Sequence, residues 1–500
     1  MPALSKSRYV SYRQCPKLLW LNTYAEERPE IDLATLQRMQ TGQEVGELAK
    51  GLFGDHVDVT VRKDDGHLDL TAMIRGTGKE MADGAPVICE AAFSSGDLYC
   101  AVDLLKKEDD GWSIYEVKST TQNDKNVYMI DIAYQKYVLE QCDVNVTGTY
   151  LVTINNEYIF DGTLDLSGFF NITDVSDEIL EEYYAVPANC EAALAVLAMK
   201  EEPHADLSKN CHDPYDCLFW TYCTKELPSP SVFDLYHLNF STKIDLYRAG
   251  KISFEDLKGD PIIRDARQKR QIEHTLYDKE AFTDPEHIKE FLDQLTYPLY
   301  FLDFETMQLA VPQFVGTKPY AQIPFQYSLH YIEYEGGPLL HKEFLAESGT
   351  DPLRAIAERL CEDIPMDACV TAFYKPFECT RLKELAGLFP DLADHLLNIR
   401  DHVIDLLVPF QSGWYYNRAM GGSFSIKSVL PALFPDDPSL NYHNLEDIHN
   451  GAEAMTIFPQ IQYMPPEEQA RTRHNLLKYC ELDTYAMVKL WEELNRVANE

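Results

Sequence analysis

A stretch in the second half of the chain, YFLDFETM (Tyr300–Met307), places two acids within a run of apolar and aromatic residues. The run has the composition of a buried strand, and alternate side chains of a strand share one face. Asp303 and Glu305 are therefore expected on the same face, a few ångströms apart. Buried like charges raise each other's pKa and cost free energy unless something neutralises them. A bound divalent cation would neutralise them, and the alternative is a pair of acids at an exposed strand end.

Composition limits the class of protein. The chain has 500 residues, 45% of them hydrophobic, which predicts about three ordinary globular domains. The formal net charge of −37 argues against a broad electrostatic grip on a polyanion, so a nucleic-acid substrate would need local basic patches and metal ions. Because the sequence has neither a bilayer-spanning apolar run nor a signal peptide, we expect a cytoplasmic protein that does not enter membranes. Structural disulfides are then not expected, and a cluster among the twelve cysteines indicates a metal or redox site.

The order of strand and helix patterns predicts an α/β protein with two main domains. Residues 1–226 form the first α/β domain, which ends near the turn-rich ELPSPS. Residues 227–295 show helical periodicity with charged breaks and predict a helical connector. Residues 296–500 alternate strands and helices again and predict the second α/β domain.

The first domain contains a charged hairpin, AVDLLKKEDDGWSIYEVKSTT. Asp103 lies in its first strand, Asp110-Gly111 is a hairpin turn signal, and Glu116 and Lys118 share one face of the second strand. Across the hairpin, Asp103 can face both of them. Two carboxylates and a lysine on one face can hold Mg²⁺, orient a water and stabilise charge on a phosphate. The alternative is an exposed charged hairpin.

An acid in one strand followed by E-x-K in the next resembles the PD-(D/E)xK nucleases, and the flanking segments are similar to their RecB-like branch. This resemblance implies that Glu90, in VICEAAF, is a further metal-ligating acid. It also implies that Gln135, in DIAYQKYVLE, is the active-site glutamine of the following helix.

One early and three late cysteines bracket the first domain, in SYRQCPKLLWL and NCHDPYDCLFWTYC: Cys15, Cys211, Cys217 and Cys223. Four thiolates from opposite ends of a domain can close a Cys₄ site and staple a long loop. The arrangement resembles the iron–sulfur RecB-like nucleases, including the AddB-type and CRISPR-associated enzymes. The resemblance implies a [4Fe–4S] cluster, and the C-x5-C spacing keeps zinc as an alternative.

In the second domain, two further segments offer carboxylates to accompany Asp303 and Glu305. Tyr479 and Asp483, in YCELDTYAMVKLWEEL, are four residues apart and share one helix face. In ACVTAFYKPFECTRLKELAGL an apolar strand precedes Glu378, which stands at the start of a helix.

This pattern resembles the DnaQ-like 3′–5′ exonucleases, and the tyrosine is typical of the DEDDy branch of that RNase H-like fold. The resemblance implies that Tyr479 orients the attacking water. The acids that it implies as ligands of two Mg²⁺ or Mn²⁺ ions are Asp303, Glu305, Glu378 and Asp483. The branch usually has aspartate at the position of Glu378. We interpret Asp405, in DHVIDLLVPF, as a structural residue or a reserve ligand.

The segment RAMGGSFSIK completes the predicted substrate site, since Gly421 and Gly422 permit close approach of a backbone. Polar and basic side chains here and after the strand before Glu378 could grip phosphates. The predicted nucleic-acid-binding residues are Lys375, Arg418, Ser423, Ser425 and Lys427. For Lys375 and Arg418 the alternative is a solvated surface.

The whole layout resembles a bacterial family of unknown function that pairs a RecB-like with a DnaQ-like domain. It predicts a metal-dependent nuclease with two active sites, exonucleolytic on DNA rather than RNA, in DNA repair, mobile-element defence or spacer processing. Two alternatives stay open. One is a catalytically weak nucleic-acid-binding protein, and the other is an iron–sulfur scaffold that acts with a partner.

Overall fold

The computed structural model describes residues 3–26, 29, 31, 33–122 and 126–500, and these fold into two units. One unit holds Met1–Glu226 together with Ala310–Tyr320, and the other holds Leu227–Leu309 and Ala321–Glu500. Both units combine helices with a sheet, so the chain has a mixed α/β fold, as its alternating pattern predicts. The helical residues 227–295 belong to the second unit.

The first unit is built on one seven-stranded sheet. Its strands are β1 (Leu4–Ser5), β2 (Val57–Asp58), β3 (Val87–Ser95), β4 (Leu98–Lys107), β5 (Trp112–Lys118), β6 (Val146–Ile154) and β7 (Phe170–Asp174). Its helices are α1 (Lys6–Gln14), α2 (Pro16–Tyr24), α3 (Leu33–Ala49), α4 (Leu70–Asp83), α5 (Asn126–Glu140), α6 (Leu166–Phe169), α7 (Leu180–Leu197) and α8 (Trp220–Thr224). The strand order is β2-β3-β4-β5-β6-β7, and β1 pairs with β4. The β1–β4, β2–β3 and β5–β6 pairs are parallel, and the other pairs are antiparallel.

Alternation along these strands buries apolar side chains on both faces of the sheet. Ile88 and Ile114 belong to the core that includes α5, whereas their neighbours Cys89 and Tyr115 belong to the core that includes α3. A sheet covered on both faces has nearly continuous apolar strands, so the single acid Glu90 in VICEAAF is exceptional.

The segment Ala310–Tyr320 is part of the first unit although it follows a strand of the second. Its apolar residues join the core on the α3 side of the sheet. The backbone amide of Phe160 donates to the carbonyl of Thr317 at 3.0 Å. The hydroxyl of Tyr320 donates to the carbonyl of Ser119 at 2.6 Å, directly after the end of β5.

The second unit contains a five-stranded sheet and a two-stranded sheet. Its strands are β8 (Phe282–Thr283), β9 (Leu299–Gln308), β10 (Gln322–Ile332), β11 (Leu340–Leu345), β12 (Cys369–Ala372), β13 (Val403–Asp405) and β14 (Tyr415–Tyr416). Its helices are α9 (Phe240–Arg248), α10 (Phe254–Leu257), α11 (Ala266–Leu276), α12 (Pro285–Leu292), α13 (Leu353–Asp363), α14 (Pro376–Leu388), α15 (Ala393–Asp401), α16 (Val408–Gln411), α17 (Ile426–Leu433), α18 (Gly451–Ile457) and α19 (Pro466–Ala498). The larger sheet has the order β11-β10-β9-β12-β13, with β12 parallel to both of its neighbours and the β9–β10–β11 pairs antiparallel. β8 pairs with β14.

Helix α19 packs against β9 and β10, and its apolar residues Leu482, Met487 and Leu490 are buried. It begins with proline at its first position, where no backbone N–H is needed. Strand β9 is central in the sheet, and most of its side chains are buried. In the described part of the chain, no helix is long and apolar enough to cross a membrane.

Candidate metal centres

Three elements of the second unit bring four acids together. The acids are Asp303 and Glu305 on β9, Glu378 in the first turn of α14, and Asp483 on α19. Burial raises the pKa of Asp303 and of Glu305 well above the ordinary values, and the charges of Asp483 and Glu378 raise both further. The folded chain therefore holds a set of mutually repelling oxygen donors, on the three elements from which the sequence predicted them.

Glu378 is a member of this acid cluster with an unpaired carboxylate oxygen. Its side chain is 2% exposed, and its Oε2 has no hydrogen-bond partner within the described residues. Burial raises the pKa of Glu378 to about 8, and the charge of Asp405 adds to the shift. An orphaned, buried carboxylate oxygen beside other acids fits a ligand of a hard divalent cation.

Two tyrosines and one lysine complete this acid cluster. Lys427 Nζ donates to the hydroxyl of Tyr479 at 3.1 Å and to the carbonyl of His449 at 3.2 Å. The hydroxyl of Tyr442 donates to Asp483 Oδ1 at 2.6 Å. Burial raises the pKa of both tyrosines well above the ordinary value, and the charge of Asp483 raises it further. Tyr479 therefore keeps its proton beside the acids, where a phenol can orient a water molecule.

Cys480 is a member of the cluster for which the sequence predicted no role. Its thiol is buried and donates to Asp303 Oδ2, with an Sγ–O distance of 3.7 Å. Ligand atoms of Asp303, Glu305 and Cys480 all lie within 4.8 Å of one another. Burial raises the pKa of Cys480, and the charge of Asp303 raises it further, so the metal-free site holds a neutral thiol. Its position next to Tyr479 in YCELD is the sequence feature that could have predicted its place in the cluster.

Asp405 has the structural role that the sequence left open. Its carboxylate accepts the backbone N–H groups of Tyr374 at 3.0 Å, Lys375 at 3.1 Å and Leu407 at 3.0 Å. These bonds hold the turn that leads into α14 and so place its first residues. Lys375, predicted to bind nucleic acid, donates from Nζ to the carbonyl of Val403 at 2.9 Å.

The other predicted nucleic-acid-binding residues occupy different surroundings. Lys427 lies in the acid cluster itself. Arg418 forms an ion pair with Asp278 on the surface. Ser423 and Ser425 lie just before α17, where their hydroxyls are 3.3 Å apart. Only Lys427 of this group contacts one of the residues predicted to act at the metal site.

The acids of the first unit meet across its central strands. Asp103 lies opposite Glu116, one position beyond the last paired residues of β4 and β5. Its Oδ2 accepts the backbone N–H of Val117 at 2.7 Å. Glu90, with a φ of +57°, lies across from Asp103 in the register of β3 and β4. Burial and the charge of Glu116 raise the pKa of Asp103 to about 7, and the charges of Lys6 and Lys118 offset only part of this rise.

Glu116, by contrast, is fully hydrogen-bonded. Its Oε1 accepts from Lys118 at 2.6 Å and from Lys6 at 2.9 Å, and its Oε2 accepts from Gln135 at 2.7 Å. Lys118 also donates to Asp131 Oδ2 at 2.7 Å. Burial alone would raise the pKa of Glu116, but the two ammonium groups hold it below the ordinary range. The predicted Lys118 and Gln135 thus lie at Glu116, and the structure adds Lys6 and Asp131, which the sequence analysis missed.

The four bracketing cysteines lie within electrostatic reach of one another in the first unit. All four are free thiols of intermediate burial. Burial, together with the charges of Cys223, Cys211 and Cys15, raises the pKa of Cys217 to about 11. Among the described residues, the ligand atoms that lie within 4.8 Å of one another do not include these four thiols, so only the donor types, four thiols from both ends of one unit, match an iron–sulfur cluster or a zinc ion.

Comparisons with other proteins describe the chain without describing its activity. Residues 300–425 match a family model described as a domain of unknown function, DUF2779. The match includes Asp303, Glu305 and Glu378 and ends before α17. A protein of Mycoplasma pneumoniae, described as "Uncharacterized protein MG366 homolog", is 24% identical over 277 residues, which are 52% of this chain and 41% of that protein. The chain therefore spans less than half the length of this relative.

Proposed function

We propose that this protein is a metal-dependent nuclease with an active site in each unit. The observation that carries the proposal is the cluster of buried Glu305, Glu378 and Asp483 with half-buried Asp303, beside the hydroxyl of Tyr479. Carboxylates that repel one another in a dry interior are balanced by divalent cations. The proposed folds are RecB-like PD-(D/E)xK for the first unit and DnaQ-like, RNase H-like for the second. The proposed substrate is nucleic acid, with DNA preferred to RNA.

In the second unit, the proposed reaction is hydrolysis of a phosphodiester. Bound Mg²⁺ or Mn²⁺ would supply activation of water and stabilisation of the leaving oxygen. Tyr479, held by Lys427, would orient the water whose oxygen forms the new bond to phosphorus. The attacking water loses a proton to solvent, the bond from phosphorus to the leaving sugar oxygen breaks, and that oxygen receives a proton from solvent. The ammonium group of Lys427 would balance charge that develops on the phosphate.

In the first unit, Glu90, Asp103 and Glu116 would hold the metal ion. Gln135 fixes the carboxylate plane of Glu116 through the 2.7 Å hydrogen bond. Lys118 would stabilise negative charge on the phosphate during attack by water. Cys15 and the three late cysteines would hold a [4Fe–4S] cluster, or zinc as the alternative, that joins the two ends of the unit.

The test is a cleavage assay on the purified full-length protein with end-labelled single- and double-stranded DNA and RNA, in Mg²⁺, Mn²⁺ or EDTA. Asp303→Asn should remove the activity of the second unit and Lys118→Ala that of the first. The double variant should be inactive on every substrate, as should the parent in EDTA. Cleavage by the double variant at the parent's rate would refute the assigned sites. Tight binding without cleavage by the parent would favour the nucleic-acid-binding alternative.

A further inference from the structure

We propose that Lys6 is a second functional lysine of the first unit's acid site, and that the far end of α1 sets its position. There, α1 is clamped to residues 210–217, which we name the cysteine loop. The proposal rests on the nuclease function proposed above and assigns Lys6 to the substrate phosphate, where it would stabilise the negative charge that develops during cleavage. Lys6 is remote in sequence from the E-x-K segment, and no local pattern marks it.

The backbone delivers Lys6 to the acids. Strand β1 pairs with β4 through Leu4 and Ser5, and Ser5 caps the N-terminus of α1, so Lys6 begins the helix beside the strand that carries Asp103. Its Nζ lies 2.9 Å from Glu116 Oε1 and 3.8 Å from Asp131 Oδ1. Asp131 Oδ1 is buried and, within the described residues, makes no hydrogen bond. Lys6 thus places an ammonium group 3.8 Å from an oxygen that has no hydrogen-bond partner among the described residues.

Charge balance gives Lys6 a role beyond that of a surface ion pair. The site contains four carboxylates, Glu90, Asp103, Glu116 and Asp131, and two ammonium groups, Lys6 and Lys118. The two remaining negative charges match one divalent cation. Because both lysines share a single oxygen of Glu116, a cation bound to that carboxylate would leave their N–H groups free for the next anion. In a nuclease this anion is the substrate phosphate.

The other end of α1 is clamped to the cysteine loop. The side chain of Gln14 donates to the carbonyls of Asn210 at 2.8 Å and Tyr215 at 2.7 Å, and Asn210 Nδ2 donates back to the carbonyl of Gln14 at 3.1 Å. Cys15 follows Gln14 directly. A helix of nine residues is a stiff rod of about 14 Å, so a shift at Gln14 would displace Lys6.

The same loop also carries a residue within electrostatic range of the acid site. Burial raises the pKa of Tyr215, and the charges of Lys118 and Asp131 act on it in opposite directions. A metal bound by the cysteines would hold the loop and Cys15 together. The position of Lys6 would then depend on occupancy of the cysteine site.

The experiment uses the full-length protein carrying Asp303→Asn, so that the first unit alone cleaves. Lys6→Met should lower kcat by about 10²-fold, the usual cost of removing a donor to developing charge. In isothermal titration, the Lys6→Met variant should bind Mn²⁺ at least as tightly as the protein with Lys6, because the ammonium group of Lys6 no longer competes with the ion for Glu116. Lys6→Arg should restore most of the loss. Lys136→Met is the matched control: Lys136 is similarly buried and pairs with Glu140 at 3.0 Å, and neither quantity should change.

The positioning role is tested with Gln14→Ala. It should lower kcat by about tenfold or less and leave Mn²⁺ affinity unchanged. Combined with Lys6→Met it should add no further loss, because its effect passes through Lys6. Independent, multiplying effects would overturn the coupling. Gln141→Ala, on the exposed turn after α5, is the control substitution.

The outcomes separate this inference from the function on which it rests. If the Asp303→Asn protein cleaves nucleic acid and Lys6→Met keeps its kcat within twofold, Lys6 is only a counter-ion and the inference is wrong. If the Asp303→Asn protein neither cleaves nor binds Mn²⁺ at Asp103, the nuclease function of the first unit fails and the inference fails with it. Should circular dichroism show that Lys6→Met is unfolded, Lys6→Gln replaces it under the same criteria.

Discussion

The two acid sites each hold several carboxylates close together, and they differ in how many lysines accompany them. In the first unit, both carboxylate oxygens of Glu116 accept hydrogen bonds. Two lysines neutralise two of the four carboxylates of the site. In the second unit, Lys427 is the cation near Glu305 and Asp483, and Glu378 keeps a buried oxygen without a partner. An internal counter-ion lets a site form without metal, whereas uncompensated acids repel until a metal binds. We therefore expect the first unit to depend on its cysteines for stability and the second on divalent ions.

The largest expected effect comes from the four cysteines, which belong to the first unit and would bind its structural metal. Cys217→Ser should remove the bound iron and lower the free energy of unfolding of the first unit by roughly 3–5 kcal/mol, as expected for a cross-link that closes a long loop. The measurements are iron content, visible absorption after anaerobic purification, and denaturant unfolding. Stabilisation of the second unit by Mn²⁺ should not change. Cys361→Ser, a half-buried cysteine of the second unit, is the control.

A purified parent that contains stoichiometric zinc and no iron would replace the cluster with zinc. A parent without any bound metal would refute the cysteine site.

The next effect concerns the repulsion among the acids of the second unit. Asp303→Asn should leave the metal-free protein as stable as the parent or slightly more stable, because it removes one of several acids whose ionisation the others oppose. It should lose the stabilisation that Mn²⁺ gives the parent, about 2.7 kcal/mol at a hundredfold excess over Kd. Melting curves in EDTA and in Mn²⁺ measure both quantities. Asp401→Asn, an exposed aspartate of the same unit, should respond to Mn²⁺ like the parent.

An equal response to Mn²⁺ in Asp303→Asn and the parent would show that β9 carries its two acids for another reason. Destabilisation of Asp303→Asn in EDTA would indicate a hydrogen-bonded structural aspartate instead.

A smaller effect should appear in the pH dependence of stability in EDTA. The folded-state pKa of Glu378 is about 8 against an ordinary 4.5, so the folded protein binds this proton more tightly than the unfolded chain. Stability should therefore fall as pH rises between these values, by up to about 1.4 kcal/mol per pH unit. Glu378→Gln should flatten this slope, as measured by urea unfolding at a series of pH values.

In the first unit, Glu116 should contribute a pH dependence of stability with the opposite sign. The pKa of Glu116 is lowered, so its contribution to stability is complete above the ordinary value of 4.5 and is lost as pH falls further. Glu116→Gln should weaken acid sensitivity without reproducing the effect of Glu378→Gln. If the two substitutions gave slopes of the same sign, the contrast between the sites would be wrong.

The smallest effect concerns Arg418, whose side chain is 49% exposed in its ion pair with Asp278. Arg418→Ala should change stability by less than about 1 kcal/mol, as for other exposed pairs. If Arg418 contacts a phosphate, the slope of log affinity for DNA against log salt should decrease by about 1. Arg354→Ala, at 46% exposure in a pair with Asp391, is the matched control. Identical salt slopes for both variants would remove Arg418 from the proposed substrate surface.

The parts of the sites that the sequence predicted depend on local geometry. Alternation along a strand places Asp303 beside Glu305, and the helical repeat places Tyr479 over Asp483. A hairpin turn brings Asp103 opposite Glu116. Each rule acts over a few residues, so each could be applied before any tertiary contact was known.

The residues that were missed fall into two groups. Asp131 precedes Gln135 by one helical turn, so the rule that predicts neighbours on a helix could have found it. Lys6 is 110 residues from Glu116 and Tyr442 is 41 residues from Asp483, and their contacts follow from tertiary packing. No period in the sequence encodes such contacts. The predicted family resemblances concern these same sites and stay predictions.

The segment Ala310–Tyr320 has a consequence for the growing chain. The ribosome makes Glu226 long before Tyr320, and domains usually fold as they emerge. The first unit must instead wait for residues that follow the central strand of the second, with part of its core uncovered in the meantime. Because Tyr320 holds the backbone at Ser119, next to Lys118, the lysine of the first acid site reaches its final support last. A nascent chain would therefore contain the residues of β9 before it contains those that complete the first site.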